Sequence, residues 1–591
     1  MKASVVLMRK EILYTKGAFF LQIFLIYSWL VALLPVTQTD CYYSIYIICA
    51  ILGVICLFDN YKNRPVVSRN HRIWIMVFAF LFSAAVLLAN YSLYTPLSVL
   101  RLIKAMFPLA GGFCLGFQGL TCMMNRFPMR SKASGRTHGT ACFLLVFLSI
   151  VFINMLFLFT NQYPGVVFTD SIASIEQVLG MIPYENRIPF YYTILVGFFL
   201  KIGLFLFHDI NAAVALFHCF QILFMAACFA YAFMTLYQIK TPTGLLVGIY
   251  LFYTLVPYQL VYNATMGKDV VFAGAALLLV TSFYRILKHM GRRPWHNTLI
   301  FLIGSIGLSL WRTNGWYVFL ITTVVLFFPL RKQYKPLLRM MLTVIVLCWI
   351  LLNPVLTILN VSGLDYSEAF AIPTQQIARV VYEGRELTDE ETLLLDQIFH
   401  VDKLKSDYVP TNVDQVKYYN MKRSGLHYVR ENPLAYLKLY ISLGIRYPGD
   451  YLKAWIDQTK GYWNGGYQYY PFTQDVEGSE LGIFPLSELG IIGQLFRLWV
   501  WTIYRLPIFQ PLYSIGFALW ALIACMLVNG LKKRQEWLLG VPLLVIMIGL
   551  WLGTPIFAEF RYAYPLIVSM PVIFCVTLIE NDEGKEVQTP Q

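Results

Sequence analysis

Asp170 stands in the polar stretch NQYPGVVFTDSIASIEQVLGMIPYENR, residues 161–187, between two long apolar blocks. A carboxylate in such a loop can take the proton of a hydroxyl nucleophile as a general base. The run Thr169-Asp170-Ser171 ahead of SIASIEQVLG also fits a helix start, where the same residue would cap backbone N–H groups. Glu176 is a second acid in this stretch that could reach the same surface. Lys268 and Asp269 open another apolar block in VYNATMGKDVVFAGAALLLV. The lysine there could grip a phosphate as a point charge, or the pair could simply snorkel to an interface. Arg312 and Asn314 occupy the tight turn RTNG between two apolar blocks. An arginine so placed needs an anionic partner, either a lipid phosphate or a protein carboxylate. Glu559 and Arg561 flank Phe560 in AEFRYAYP, where they could form a structural salt bridge or meet groups from other segments.

The elements that must position these residues are set by hydropathy. The 591 residues are 58% hydrophobic and 13% charged, with a mean hydropathy of +0.61. Apolar blocks near 18–36, 43–58, 73–90, 98–123, 141–161, 211–237 and 242–260 are read as crossings of a hydrocarbon core. So are those near 270–287, 297–311, 315–330, 339–358, 511–530, 537–552 and 562–579. The expected fold is therefore an all-α polytopic membrane protein of about 14 transmembrane helices, with a small, mainly helical external domain. The net charge of +14 does not indicate nucleic-acid binding, because the basic residues sit in short loops between apolar blocks. The eleven cysteines lie almost wholly inside those blocks, contain no C-x-x-C pair and suggest neither zinc nor a disulfide framework. Lys2, Arg9, Lys10 and Lys16 precede the first block without a small-residue cleavage site, so a retained span is expected.

Five loops are plainly basic: Arg64/Arg69/Arg72, Arg126/Arg130/Lys132/Arg136, Arg285/Lys288/Arg292/Arg293, Arg331/Lys332/Lys335/Arg339 and Lys532/Lys533/Arg534. The positive-inside bias puts all five in the cytoplasm. That holds only if the apolar run 189–207 lies at or dips into the outer interface instead of crossing. Both termini are then cytoplasmic, and every candidate residue above faces outward. The resulting organisation is an N-terminal bundle (1–140, about four spans), a transmembrane core (141–358) with its first external loop at 162–210, an external domain (359–510) and C-terminal helices (511–591). Within 359–510, Thr388 before Asp389-Glu390-Glu391 reads as a helix start, and Pro433 and Pro448 break the later helical run.

From about Ala141 onward the chain resembles the GT-C class of membrane glycosyltransferases, related to protein mannosyltransferases and aminoarabinose transferases. YPGVVFTDS looks like the first external loop with its acidic residue, and NRIPFYYTILVGFFLKIG like the amphipathic stretch that follows. LVPYQLVYNATMGKDVVFAGAALLLV is similar to the Pro-containing span and second external loop. RTNG and EFRYAYP look like arginine-bearing turns near a lipid-phosphate site. IPTQQIARVV and a Tyr/Trp-rich segment in the long external loop bring the likeness closest to an uncharacterised bacterial branch. The first four spans lie outside it.

The resemblance implies a GT-C-like core that moves a sugar from a polyprenyl-phosphate donor to a surface glycan, lipid or protein acceptor on the outer face of the plasma membrane. Direct displacement would invert the anomeric centre. Asp170 would be the catalytic residue, and Lys268, Asp269, Arg312, Asn314, Arg187, Glu559 and Arg561 would bind substrate or lipid phosphate. Glu176, Gln376, Arg379 and Trp463 are secondary candidates, and Tyr462, Tyr467, Tyr469 and Tyr470 could stack on sugar rings or pack as anchors. No cofactor is required; a divalent metal is compatible with the class, although no His/Asp cluster supports one. The alternatives are a lipid-linked glycan flippase and a surface-polysaccharide polymerase or ligase.

Overall fold

The computed structural model describes residues 15–33, 43–95, 98–126, 129–130, 139–291, 294–363, 370–470, 479–486 and 488–580. The N-terminal bundle holds α1 (Lys16–Leu33), α2 (Tyr43–Asn63), α3 (Arg69–Ala89) and α4 (Val99–Arg126) around Ile26, Trp29, Tyr46 and Val86. The core follows with α5 (Gly139–Phe157), α6 (Thr169–Leu179), α7 (Phe190–Phe207), α8 (Ile210–Gln238), α9 (Thr243–Leu255) and α10 (Pro257–Asn263). It continues through α11 (Lys268–Leu287), α12 (Pro294–Leu310), α13 (Gly315–Leu330) and α14 (Lys335–Ile350). Outside it come α15 (Ala371–Tyr382), α16 (Asp389–Ile398), α17 (Val401–Asp407), α18 (Arg423–Glu431) and α19 (Pro433–Arg446). The chain closes with α20 (Pro448–Trp463), α21 (Ile491–Arg505), α22 (Ile515–Leu531), α23 (Val541–Gly553) and α24 (Phe560–Leu578).

The protein is an all-α multi-pass membrane protein. Eleven described helices are long and apolar enough to cross a bilayer, or up to 13 if each of two bent pairs is one span. The pairs are α9 with α10, bent by 42° at Pro257, and Pro507–Tyr513 with α22, bent by 74°. The expected fourteen included α12 and α13, which are helical but only 17 and 16 residues long. It excluded α7, which passes on length and composition.

Contacts show where α7 lies. Asp59, beside the first basic loop, pairs with Arg126 of the second. Met129–Arg130 pair in parallel with Ile579–Glu580 at the end of α24, and Arg534 donates to the Ile579 carbonyl at 3.0 Å. Lys288 pairs with Glu536 at 2.8 Å, and Gln535 donates to Gln333 at 3.0 Å. The described residues of all five basic loops therefore share one face; Lys132, Arg136, Arg292 and Arg293 lie outside the described residues. Neither end of α7 reaches it. Tyr191 donates to the Leu351 carbonyl at 2.8 Å, at the far end of α14. Phe207 turns through His208 and Asp209 into the start of α8, whose other end meets Arg285 through Gln238 on the basic face.

The segment 359–510 divides. Ile377, Val380, Leu395, Ile398, Val416, Leu439 and Leu443 form their own core from α15 to α19. Thr388 and Glu391 make the reciprocal capping box at the start of α16. α20 begins at Pro448 but buries Tyr462 and Trp463 in the transmembrane core, and α21 packs Phe496 on Phe157. The charge bias predicts an orientation that labelling can check: Leu434→Cys, on exposed α19, should react with an impermeant maleimide on intact cells, and Gln333→Cys only after permeabilisation. The reverse pattern would invert the topology.

Candidate functional site

α8 holds two loops together. Its Gln221 donates to the carbonyls of Tyr262, Asn263 and Thr265 at 3.1, 3.0 and 2.8 Å. One turn earlier, His218 packs on Gly165, where φ is +117° and an added Cβ would lie 2.2 Å from the imidazole. The loops also pair with each other: Val166 N–H donates to Ala264 at 2.8 Å, and Met266 N–H to Val166 at 2.9 Å. Ser171 then donates to the Met266 carbonyl at 2.5 Å. This clamp brings the start of α6 against the start of α11. Gln221→Leu leaves three buried carbonyls without that donor, and should destabilise the fold by roughly 1–3 kcal/mol. Chemical denaturation checks this; an unchanged midpoint would show that the carbonyls find other donors.

Asp170 is not a cap. Phe168 takes the cap position of α6, and the Asp170 carboxylate turns to Lys268 Nζ at 3.0 Å. Arg561 Nη1 approaches the same oxygen at 3.8 Å, while its Nε lies 3.4 Å from Glu559. Tyr469 donates to Glu559 at 3.0 Å, and the Tyr462 hydroxyl accepts the Glu559 N–H at 3.1 Å. Deeper, Arg312 pairs with Asp269 at 3.2 Å, beneath the Tyr562 ring at 4.5 Å. Arg561 lies over the Phe168 ring at 5.0 Å and the Tyr562 ring at 5.2 Å. Three cations and three carboxylates thus alternate around one aromatic floor. Exposure grades across them, from 28% for the Asp170 side chain to 2% for Asp269.

Burial works to raise the Asp170 carboxyl, but Lys268, Arg561 and Arg187 outweigh it and hold it below the usual range. Glu559 goes the other way: burial pushes it up, and Arg561 and Tyr469 only partly offset this. A carboxyl raised on folding contributes stability below its unfolded pKa of about 4.3 and loses it as pH rises through the folded value. Wild type should therefore lose stability relative to Glu559→Gln as pH rises above that point, read as diverging melting midpoints. Parallel midpoints would show that Glu559 does not titrate in this window.

The other sequence candidates fall into two groups. Arg187 pairs with Glu185 at 3.1 Å and faces Asp170 closely enough to lower it. Glu176 lies six residues along α6 from Asp170, about 240° round the helix, and so on another face. Asn314 is exposed at the start of α13, apart from the ion pairs. Gln376 is bound to Tyr451 and Tyr440 between α15, α19 and α20, and Arg379 to Asp457 and Glu383. Trp463 is buried against Trp455. These last five do not join the cluster. Among the described residues no group of three or more His, Cys, Asp or Glu could hold a metal. Phe168, Tyr562 and the His218/Gln221 clamp were not singled out from the sequence. The signal for the clamp was two polar residues three apart in an apolar helix.

All six charged residues lie at the ends of their helices remote from the basic face. α11 runs from Lys268 and Asp269 here to Leu287 there, about 30 Å away, and α24 runs the same way from Arg561. Neither a curated protein nor a solved structure matches the chain. A family described as "Family of unknown function (DUF6020)" matches residues 184–590. That span takes in Lys268, Asp269, Arg312, Glu559 and Arg561 while leaving out the N-terminal bundle and Asp170, and over it the chain belongs to the DUF6020 family.

Proposed function

We propose that the protein is a GT-C-type glycosyltransferase that moves a sugar from a polyprenyl-phosphate donor to an acceptor hydroxyl on the non-cytoplasmic face. The observation that carries this is Asp170 sharing one site with Lys268 and Arg561, with Arg312 beside them. A carboxylate able to take a proton lies next to cations able to hold a phosphate, at the bilayer end remote from the basic loops. In the transfer, the acceptor oxygen bonds to the anomeric carbon as the bond from that carbon to the phosphate oxygen breaks. The hydroxyl proton goes to Asp170, and the phosphate leaves with its charge met by Lys268, Arg561 and Arg312.

The low carboxyl of the resting protein fits this sequence of events. Asp170 held by two cations is a weak base. When a donor phosphate draws Lys268 and Arg561 toward itself, Asp170 loses the charges that lower it and becomes more basic. Donor binding would thus activate the base only when there is a sugar to transfer. The experiment is transfer from a radiolabelled polyprenyl-phosphate sugar by the purified full chain, with product separated from donor. Failure to transfer from a panel of such donors to lipid, glycan and peptide hydroxyls would sink the reading.

A further inference from the structure

Between α3 of the N-terminal bundle and α20, α22 and α23 lies a cavity of about 990 Å³. Every lining residue is apolar, and six are tryptophans: Trp74, Trp455, Trp463, Trp520, Trp537 and Trp551. It is open on the α3 side, where the lining residues Trp74 and Leu81 are 55% and 53% exposed. From Trp74 to Leu88 it follows α3 for about 21 Å, some two thirds of a hydrocarbon core. An apolar space of this kind excludes water. Opened sideways at membrane depth, it takes hydrocarbon.

Past its end remote from the basic face stands a polar group that is not part of the lining. Just beyond α3, Tyr91 donates to Asp457 at 2.8 Å, and Asp457 also meets Arg379 at 2.7 Å and Lys460 at 3.0 Å. Arg379 reaches Glu383 at 3.3 Å. Two cations and two carboxylates balance, and the more exposed pair, Lys460 and Glu383 at 29% and 31%, offers one charge of each sign. A bare phosphate would meet an uncompensated acid here, whereas a head carrying both phosphate and amine finds a partner for each charge.

We propose that this groove is a binding site for one chain of a zwitterionic, amine-bearing phospholipid, with its phosphate at Lys460 and its amine at Glu383. The lipid would join the N-terminal bundle to the family-matched part of the chain. It is separate from the charged cluster, since none of Asp170, Lys268, Asp269, Arg312, Glu559 and Arg561 lines it.

The test is native mass spectrometry of the full chain purified in mild detergent from membranes of mixed lipid content. Wild type should retain one phosphatidylethanolamine-type lipid per chain. A Cβ added at Gly530 meets no heavy atom within 4 Å, so Gly530→Phe can grow into the groove and should lose that lipid while staying monodisperse. Ala84→Leu plugs the opposite wall and gives a second reading should Gly530→Phe not fold. Lys460→Gln should keep a lipid but lose the preference for this head. Retention of no lipid, of a prenyl lipid only, or of the phospholipid by both plugged variants would overturn the proposal.

Discussion

Asp170→Asn is expected to reduce sugar transfer by roughly 10²–10⁴-fold while the protein folds normally. The substitution keeps the shape of the side chain and removes the proton acceptor. Its fold should survive because Asp170 caps no helix: the start of α6 is held by Phe168, Ser171 and the clamp from α8. The loss should fall on kcat, since the proposed mechanism gives the donor phosphate to Lys268, Arg312 and Arg561. A base must be deprotonated to act, so activity falls as pH drops through its pKa. In the free protein that limb in kcat/KM should lie below the usual carboxyl value of about 4, because the surrounding cations hold Asp170 low. Activity of the variant within a few-fold of wild type would remove Asp170 from the chemistry. Glu559, which shares Arg561 with it, would then be the acid to test.

The charged residues of the site were legible in the sequence for a thermodynamic reason. An ionisable side chain inside an apolar block is costly, so each one stands out and each demands a partner. What could not be read was the pairing. Asp170 and Lys268 are 98 residues apart, and Arg561 reaches them from the last span, so only packing decides that Lys268 takes Asp170 while Arg312 takes Asp269. The aromatic candidates show the same limit. Tyr462 and Tyr469 sit among other tyrosines in a polar loop, yet both turn inward onto Glu559, and Trp463 turns away into the groove. Hydropathy alone also treats α7 as a crossing, although both of its ends are fixed away from the basic face. Charge asymmetry supplied that information where length and composition did not.

Arg561 separates a structural reading of the cluster from a catalytic one. Arg561→Met removes the partner of half-buried Glu559 and should destabilise the fold by about 1–3 kcal/mol, less than breaking a fully buried pair. Loss of activity in that variant would not distinguish a dead site from a damaged fold. Adding Glu559→Gln removes the stranded charge, so the double variant should recover most of the stability. If Arg561 only balances Glu559, activity returns with the fold. If Arg561 meets the departing phosphate, the double variant stays about 10²–10³-fold slow in kcat, the usual cost of losing one such donor. Arg561→Lys in the wild-type background should fall between the two. A lysine restores the charge, but cannot span Asp170 at 3.8 Å and Glu559 at 3.4 Å from one planar group. A double variant that regains both melting midpoint and turnover would assign Arg561 to packing and leave the phosphate to Lys268 and Arg312.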